Sequence, residues 1–333
     1  MTGASGFLGS HIVDNLVVRG ASVRALVRPS GDASYLMERG VELVRGDVTK
    51  PATLRPAVEG VDVVLHAAAL VTDWAPWRDF RQVTIEGTRN VLEAAAAAGV
   101  PRFLHVSTDG VYALRALRRP LTEDSPLERR FGWWDYYRRS KLAAERLARW
   151  YGDSGRLGLT IVRPGLVLGE RDRAMLPGLV AFLRSGSAAY LGNGRNRLPC
   201  VYAGDVAEGC VLAASSEAAV GGTYNLAPSE EVSQRDLFRA VAEGAGLRPP
   251  RRRLPLLAAY CVVFAMELRS ALGGRRARPS LTRFAVNLIA LDYREDISRA
   301  KRELGWEPRV SMAESIRRSV EWLEAREARP VGG

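Results

Sequence analysis

Cysteine, histidine and lysine are all scarce in this sequence of 333 residues. Cys200, Cys210 and Cys261 are odd in number and far apart, which gives neither a disulfide framework nor the paired spacing of metal ligands. The three histidines form no zinc pattern. We therefore expect no metal site, and we expect a reducing, cytoplasmic compartment.

Lysine is so rare that the net charge of +11 comes almost entirely from arginine. The arginines form no basic, aromatic-laced stripe of the kind that binds nucleic acid, so no nucleic-acid partner is expected. The positive excess favours anionic small molecules, a phosphorylated cofactor among them, or an acidic membrane surface. The apolar content of 47% predicts one large globular unit with a smaller appendage.

A glycine-rich turn opens the sequence. Gly3, Gly6 and Gly9 recur at every third position just before an apolar stretch with helical spacing. Small residues there let backbone amides approach a pyrophosphate at the positive end of a helix. The turn predicts a dinucleotide site contacted by Gly3, Ser5, Gly6, Phe7, Leu8 and Gly9. Because the buried strand that precedes such a turn has no residues here, we expect about five or six apolar residues upstream of Met1.

Apolar runs alternate with helical patterns along the first half of the chain. Helical spacing covers 10–19, 80–98 and 136–151, and strand-like runs cover 21–27, 41–44, 61–65, 102–106 and 159–162. This alternation predicts an α/β fold, a Rossmann-type doubly wound parallel sheet whose first strand is missing, with a smaller, mostly helical C-terminal substrate lobe. We expect 1–165 to form the dinucleotide-binding domain, to which 204–226 return, and 166–203 and 227–330 to form the substrate lobe.

Segments at the ends of the expected strands are placed along the cofactor. Arg28 ends the second strand, where an acidic residue would hold the ribose 2′-hydroxyl of NAD. An arginine favours a 2′-phosphate, so NADP is preferred over NAD. Asp47 and Val48 are placed to meet the adenine. The small residues that would line one side of the cofactor site are Ala67, Ala68 and Ala69, which we call the alanine floor.

Tyr137 and Lys141 lie four residues apart on a predicted helix, which puts both side chains on one face. Because an ammonium stabilises a phenolate, we expect Lys141 to lower the pKa of Tyr137 from about 10 towards neutrality. Thr108 follows the strand 102–106 and emerges at the carboxyl end of the sheet, where ligands bind. Together these residues predict a catalytic acid/base site.

These motifs resemble the extended short-chain dehydrogenase/reductases of the NAD-dependent epimerase/dehydratase superfamily. The resemblance extends over nearly the whole chain, through 2–9, 46–48, 66–69, 86–88, 106–112, 137–141, 163–165 and 205–207. It implies that Tyr137 is the acid/base, that Lys141 orients the nicotinamide ribose, and that Thr108 hydrogen-bonds the substrate oxygen. It also implies cofactor contacts from Thr84 and Pro164.

Two positions depart from the pattern of this family. Thr84 stands where the family usually has an asparagine that contacts the cofactor. Gly110 stands where nucleotide-sugar 4,6-dehydratases have the glutamate that removes a proton, although the neighbouring Asp109 is present. Since an elimination needs both an acid and a base, a dehydratase is disfavoured.

The C-terminal lobe resembles the 3β-hydroxysteroid dehydrogenase-like branch, through the apolar segment 254–266 and the motifs 278–283 and 304–308. The segment has arginines at 251–253 and 275–276 on its flanks and is shorter than the roughly 20 residues that span a bilayer. It predicts either a buried helix over the substrate pocket or an interfacial helix with peripheral membrane contact. The resemblance implies an NAD(P)-dependent oxidoreductase that interconverts a secondary alcohol and a ketone on a lipophilic, steroid-like or long-chain substrate.

Two other functions remain open. Arg195 and Arg197 lie in a loop where sugar-nucleotide enzymes grip a diphosphate, which favours a nucleotide-sugar 4-epimerase with tightly bound NAD. A non-catalytic cofactor-binding scaffold is opposed by the intact catalytic residues. The family also implies a homodimer, in which the helices at 80–98 and 136–151 pair into a four-helix contact.

Overall fold

A central parallel sheet dominates the computed structural model, which describes residues 1–272, 278–279 and 281–328. Its strands are β1 (Arg24–Val27), β2 (Glu42–Arg45), β3 (Val63–His66), β4 (Arg102–Val106), β5 (Gly158–Pro164) and β10 (Thr223–Leu226). Every paired neighbour is parallel, with β1 beside β2 and with β3, β4, β5 and β10 following one another across the sheet. The predicted α/β class with a doubly wound parallel sheet is confirmed.

The first residues of the chain lie between β1 and β3. Thr2 forms parallel bridges to Leu26 on one side and to His66 on the other. The Thr2 amide donates to the Leu65 carbonyl over 3.0 Å, and the Leu26 amide donates to the Met1 carbonyl over 2.9 Å. Met1 and Thr2 therefore hold the central position of the sheet and connect its two halves.

Helices cover both faces of this sheet, and further helices pack beside it in the C-terminal region. They are α1 (Phe7–Val18), α2 (Ser34–Glu38), α3 (Arg55–Val58), α4 (Trp77–Phe80), α5 (Gly87–Ala97), α6 (Tyr136–Asp153), α7 (Met175–Arg184), α8 (Ala203–Ser215), α9 (Gln234–Gly244), α10 (Leu256–Leu272), α11 (Arg283–Ala290), α12 (Ser298–Leu304) and α13 (Met312–Glu327). Leu104 of β4 packs in one core cluster with Ile12 of α1 and Val206 of α8. Phe103 points to the opposite face, into a cluster with Leu92 of α5 and Ala148 of α6. Successive side chains of a strand point to opposite faces of the sheet, and both faces are covered by helices. These strands therefore have nearly continuous apolar sequences.

The helix predicted over 80–98 is interrupted at its start. Residues Arg81–Glu86 form a π-helical turn between α4 and α5, with Thr84 buried inside it. Such turns are rare and often accompany functional sites. Its position beside the loop that follows β3 brings Thr84 towards the expected cofactor floor.

The C-terminal region predicted to form the substrate lobe combines helices with three two-stranded sheets in the described part of the chain. The additional strands are β6 (Leu166–Leu168), β7 (Ala189–Leu191), β8 (Arg197–Leu198), β9 (Cys200–Tyr202), β11 (Val232–Ser233) and β12 (Arg252–Leu254), paired as β6 with β9, β7 with β12 and β8 with β11. Phe238 of α9, Val180 of α7 and Ile316 of α13 share a second core cluster. The lobe thus has its own apolar core beside the sheet.

Helix α10 contains the apolar segment predicted at 254–266. Ala259 and Val263 are buried and pack against Val286 of α11. The opposite face is exposed and apolar, with its side chains one or two helical turns apart at Leu257, Cys261, Phe264, Leu268 and Leu272. Helix α10 is therefore buried on one face only, and a position over the substrate pocket stays a prediction. The arginines at 275–276 lie outside the described residues, and no helix in the described ranges is long and apolar enough to cross a membrane.

Candidate active site

The glycine turn packs so closely that side chains cannot replace its glycines. Gly3 has a φ of +73°, which is a left-handed conformation, and a Cβ on Gly9 would lie 1.9 Å from the Gly3 carbonyl oxygen. Helix α1 begins at Phe7, and its N-cap Gly6 provides no side-chain hydrogen bond. The first-turn amides are therefore left for an anion, as a pyrophosphate requires. The exposed Ser5 lies at the same end of the helix.

The predicted alanine floor adjoins the glycine turn directly. A Cβ on Gly3 would lie 2.8 Å from both the Ala67 carbonyl carbon and the Ala68 amide nitrogen. Ala67, Ala68 and Ala69 are partly exposed, so their surfaces are free to contact a ligand. Thr84 is only 1% exposed, and its hydroxyl accepts the Leu70 amide over 3.1 Å. Its observed role is to hold this loop from behind, and direct contact with the cofactor stays a prediction.

Arginines surround the expected adenosine end of the site. Arg28 is exposed directly after β1. Arg45, which sequence analysis missed, donates from Nη1 to the carbonyl oxygens of Arg28 (3.2 Å) and Gly31 (3.1 Å) and so brings a second guanidinium to this loop. Asp47 accepts the Thr49 amide on Oδ1 over 2.8 Å, which fixes its carboxylate at the end of β2.

Val48 and Pro164 complete the set of predicted cofactor residues. Val48 is 9% exposed, and its carbonyl accepts the Asn90 side-chain amide over 2.8 Å. Pro164 ends β5 and is buried opposite Leu226. Both lie in the loop regions at the carboxyl ends of parallel strands, the edge where this fold binds ligands.

Thr108, Tyr137 and Lys141 meet at this same edge. Helix α6 carries Tyr137 and Lys141 one turn apart, and Thr108 follows β4. The Lys141 ammonium donates to the Val106 carbonyl over 2.6 Å. Burial lowers the pKa of Lys141 to about 8, while the nearby Glu145 carboxylate opposes this shift. The hydroxyl of Thr108 lies within hydrogen-bonding reach of Tyr137.

The expected lowering of the Tyr137 pKa is wrong in this structure. Burial and the Asp109 carboxylate together raise the pKa of Tyr137 to about 12, and the Thr108 hydrogen bond opposes both. The Lys141 ammonium does not contribute to this shift, and it donates to the Val106 carbonyl. Tyr137 is therefore a neutral phenol at physiological pH and is suited to donate a proton.

A buried ion pair fixes helix α6 against the sheet. Glu145 is fully buried, and it accepts Arg163 Nη2 over 2.7 Å and the Ser107 hydroxyl over 2.5 Å. Arg163 is 1% exposed and also donates to the Tyr112 hydroxyl over 2.9 Å. Because Ser107 precedes Thr108, this network sets the distance between the threonine and the tyrosine-lysine helix.

An apolar wall from the C-terminal part of the chain reaches Tyr137. The ring of Phe284 in α11 meets the ring of Tyr137 edge to face, with centroids 5.6 Å apart. The neighbouring Arg283 is buried between Trp134 and Phe264, and its Nε donates to the Glu267 carboxylate over 2.6 Å. The sequence gives no local signal for Phe284, because nearly 150 residues separate it from its partner.

Two loops at the mouth of the site are tied together by Asp73. Its carboxylate accepts Arg278 through Nε (2.9 Å) and Nη2 (3.0 Å), and it accepts the Thr282 hydroxyl over 2.6 Å. Asp73 follows the alanine floor, and Thr282 caps the helix that carries Phe284. The tie thus links the cofactor side of the site to its apolar wall.

The arginine loop that was expected to bind a sugar nucleotide forms ion pairs within the protein instead. Arg197 pairs with Asp292 over 2.6 Å and with Glu231 over 3.0 Å. A guanidinium held by two carboxylates is not free to bind a diphosphate without losing those pairs. Arg195 is exposed beside it. The geometry therefore weakens the main argument for a nucleotide-sugar epimerase.

Known proteins resemble this chain over nearly its full length. Residues 1–227 match the NAD dependent epimerase/dehydratase family. The chain is 32% identical to the 4-hydroxy-2-methyl-3-oxo-4-farnesyl-3,4-dihydroquinoline-1-oxide ketoreductase of Stigmatella aurantiaca, covering 95% of this chain and 93% of that protein. It is 29% identical to the 3 beta-hydroxysteroid dehydrogenase/Delta 5-->4-isomerase of Mycobacterium tuberculosis, covering 95% and 87%. The crystal structure of gox2253 superposes with a TM-score of 0.81 at 32% identity, covering 98% and 97%.

A dinucleotide-binding sheet with threonine, tyrosine and lysine at its carboxyl edge defines a nicotinamide-dependent oxidoreductase. The chain belongs to the NAD dependent epimerase/dehydratase family. The resemblance to extended short-chain dehydrogenase/reductases, including their 3β-hydroxysteroid dehydrogenase-like branch, is confirmed. So is the prediction of an NAD(P)-dependent enzyme acting on CH–OH groups.

Proposed function

We propose that this protein is an NADP-preferring reductase that converts a ketone on a lipophilic substrate to a secondary alcohol. The observation that carries the proposal is the contact of Phe284 with Tyr137, which places an apolar wall against the proton donor. An apolar substrate gains about 25 cal/mol for each Å² that it buries on such a wall. The relatives named for a farnesyl-bearing ketone and for a 3β-hydroxysteroid support the same substrate class.

The residues of the site divide the chemistry between them. When bound, the nicotinamide supplies the hydride. Tyr137 gives its phenolic proton to the substrate oxygen, and the high pKa of Tyr137 keeps that proton in place until a ketone arrives. Lys141 orients the nicotinamide ribose, the role that the family resemblance implies. Phe284 and its neighbours exclude water from the reacting carbonyl.

The preference for NADP over NAD is supported by two guanidinium groups. Arg28 is exposed at the end of β1, and Arg45 lies on the adjacent strand β2. A ribose 2′-phosphate there would gain charge-assisted hydrogen bonds of about 1.5–3 kcal/mol each. The first-turn amides of α1 and the alanine floor would hold the pyrophosphate and the nicotinamide half.

Tyr137→Phe tests the proposed reaction. NADPH oxidation is followed with a 3-keto steroid and with a long-chain 3-oxo acid, and UDP-glucose serves as the competing substrate class. We expect the variant to lose at least about 100-fold in kcat, the typical contribution of a positioned proton donor. Tyr151→Phe is the matched control, because Tyr151 is buried near the other end of the same helix, with its hydroxyl 3.5 Å from Glu93. Full turnover by Tyr137→Phe, or turnover of the sugar nucleotide alone, contradicts the proposal.

We also propose peripheral membrane contact through the exposed apolar face of α10. Leu257 and Leu272 are 77% and 81% exposed, and the arginines at 251–253 lie at the start of this helix. Apolar side chains with basic flanks favour the interface of an anionic bilayer. This contact would give a cytoplasmic enzyme direct access to membrane-dissolved substrates.

A homodimer is the last element of the proposal. Helices α5 and α6 pack side by side on one face of the sheet, and Trp150 of α6 is 53% exposed. Pairing this face with a second copy would form a four-helix contact. We expect sedimentation to give the mass of two chains for the wild type and of one chain for Trp150→Arg. A monomeric wild type contradicts this assembly.

A further inference from the structure

The carboxyl groups of Asp109 and Glu295 face each other behind Thr108. Asp109 follows Thr108 directly and is 8% exposed, and Glu295 reaches it from the C-terminal part of the chain. Both oxygens of the Glu295 carboxyl are buried. A Cβ on Gly165 would lie 3.3 Å from Glu295 Oε2 and 2.5 Å from the Pro199 carbonyl, so glycine leaves the space that this carboxyl occupies.

The backbone around Glu295 is held firmly in place. The Leu121 amide donates to the Arg294 carbonyl over 2.7 Å, and the Asp296 amide donates to the Leu121 carbonyl over 2.8 Å. These two bonds pair the segment with 121 as a parallel bridge. The contact with Asp109 is therefore fixed by the fold and does not depend on a mobile loop.

A contact between two carboxyl groups requires a proton on one of them, because ionised carboxylates only accept hydrogen bonds. Asp109 already accepts the Thr108 hydroxyl on Oδ1 over 3.0 Å. No side-chain or backbone donor of the described residues reaches either oxygen of Glu295. The proton therefore belongs to Glu295. In agreement, burial raises the pKa of Asp109 to about 6, whereas burial and the charge of Asp109 raise the pKa of Glu295 well above its ordinary value.

The hydrogen bonds of Thr108 can now be counted. A threonine hydroxyl has one donor and two acceptor positions. Its proton points to Asp109, and one lone pair accepts the Gly110 amide over 3.3 Å. The remaining lone pair is available to Tyr137, whose hydroxyl lies within hydrogen-bonding reach.

We propose that Glu295 is a positioning residue, which donates a hydrogen bond as a neutral acid to Asp109 and thereby keeps Asp109 as the fixed acceptor of the Thr108 hydroxyl. Thr108 then acts as an acceptor towards Tyr137. Tyr137, rather than Thr108, gives the proton to the ketone oxygen. This inference rests on the proposed reductase function and deepens it.

Other ionisable groups also face the pair. Arg138 of α6 and Arg163 of β5 favour its ionised form, and Glu123 disfavours it. The phenols of Tyr112, Tyr137 and Tyr293 complete the surroundings. Since Arg163 is already paired with Glu145, it does not neutralise Glu295 fully.

The pH dependence of kcat/KM tests this positioning role in the holoenzyme with NADPH and a ketone. An ionised Asp109 accepts the Thr108 hydroxyl more strongly than a neutral carboxylic acid does, so kcat/KM of the wild type should fall as the pH drops through about 6. Glu295→Gln keeps a neutral donor, so this fall in kcat/KM, the acidic limb of the pH profile, should stay at the same pH. Glu295→Ala removes the donor, so the limb should move to higher pH and activity near pH 6 should fall about tenfold. The exposed Glu324→Ala is the control. An acidic limb that is absent from the wild type, or unmoved in Glu295→Ala, overturns the proposal.

Infrared spectroscopy gives a second measurement that needs no turnover and no Glu295→Ala protein. The wild type near pH 8 should show the carbonyl-stretch band of a buried protonated carboxylic acid, and Glu295→Gln should lack it. Identical spectra refute the neutral state of Glu295. A protein that shows the band but reduces no ketone refutes the proposed function and leaves the protonated pair supported.

Discussion

Gly9→Ala is the sharpest test of the cofactor turn, because the added methyl group would meet only backbone. Its Cβ would lie 1.9 Å from the Gly3 carbonyl oxygen and 2.7 Å from the Gly3 carbonyl carbon. Cβ contacts shorter than 3.0 Å are essentially never observed, so helix α1 and the turn must separate by about 1 Å. Overpacking of this kind costs about 1–3 kcal/mol, and rigid backbone on both sides sets the upper end of that range.

The same displacement should weaken cofactor binding. An amide that moves by about 1 Å stretches an N–H···O distance from about 2.9 Å to about 3.9 Å, beyond hydrogen bonding. Each lost bond to a charged phosphate is worth about 1.5–3 kcal/mol, which raises the Kd for NADPH at least about tenfold. Denaturant unfolding and NADPH fluorescence titration measure the two effects separately.

Gly178→Ala is the matched control for Gly9→Ala. Gly178 lies in helix α7, and an added Cβ would meet nothing within 4 Å. Because alanine is the better helix former, this variant should gain about 0.5–1 kcal/mol and keep the wild-type Kd. A Gly9→Ala protein with wild-type unfolding midpoint and wild-type Kd would refute the assignment of the turn.

Three further predictions address the cofactor, the core and the membrane surface. Arg28→Ala should raise the Kd for NADPH about tenfold and leave that for NADH unchanged, as titrations of both cofactors would show. Glu145→Gln leaves the buried Arg163 without its carboxylate and should cost about 3 kcal/mol in denaturant unfolding, against about 0.5 kcal/mol or less for the exposed Glu38→Gln. Since the pKa of Glu145 is lowered from 4.5 on folding, its contribution is present above pH 4.5 and is lost as the pH falls through the folded pKa. Leu268→Glu should reduce sedimentation with anionic vesicles and leave reduction of a water-soluble ketone unchanged; equal sedimentation of both proteins would contradict the membrane contact.

The sheet was predictable because its signals are local. The strand predicted at 102–106 coincides with β4, since a strand buried on both faces has a continuous apolar sequence. Helix α1 begins at Phe7, three residues before the predicted start. The first helical residues include a glycine of the turn, so the regular spacing of apolar residues is visible only further along the helix. Residues at strand ends could be assigned because parallel strands bring their carboxyl ends to one edge.

The protonation states and the walls of the site were not predictable in the same way. The pKa of Tyr137 depends on burial and on Asp109, whereas the sequence shows only the helical spacing to Lys141. Phe284 and Glu295 come from the C-terminal part, and no periodicity links them to α6 or β4. Such contacts are set by tertiary packing alone.

The Asp73 tie has a consequence for the speed of turnover. Its three hydrogen bonds join the loop after the cofactor floor to the cap of the helix that carries Phe284. The two loops cannot move apart while all three bonds persist, so widening the mouth for a bulky substrate requires them to break together. Steps of this kind commonly occur on a microsecond to millisecond timescale. We therefore expect exchange of substrate and product, rather than hydride transfer, to limit kcat for large substrates.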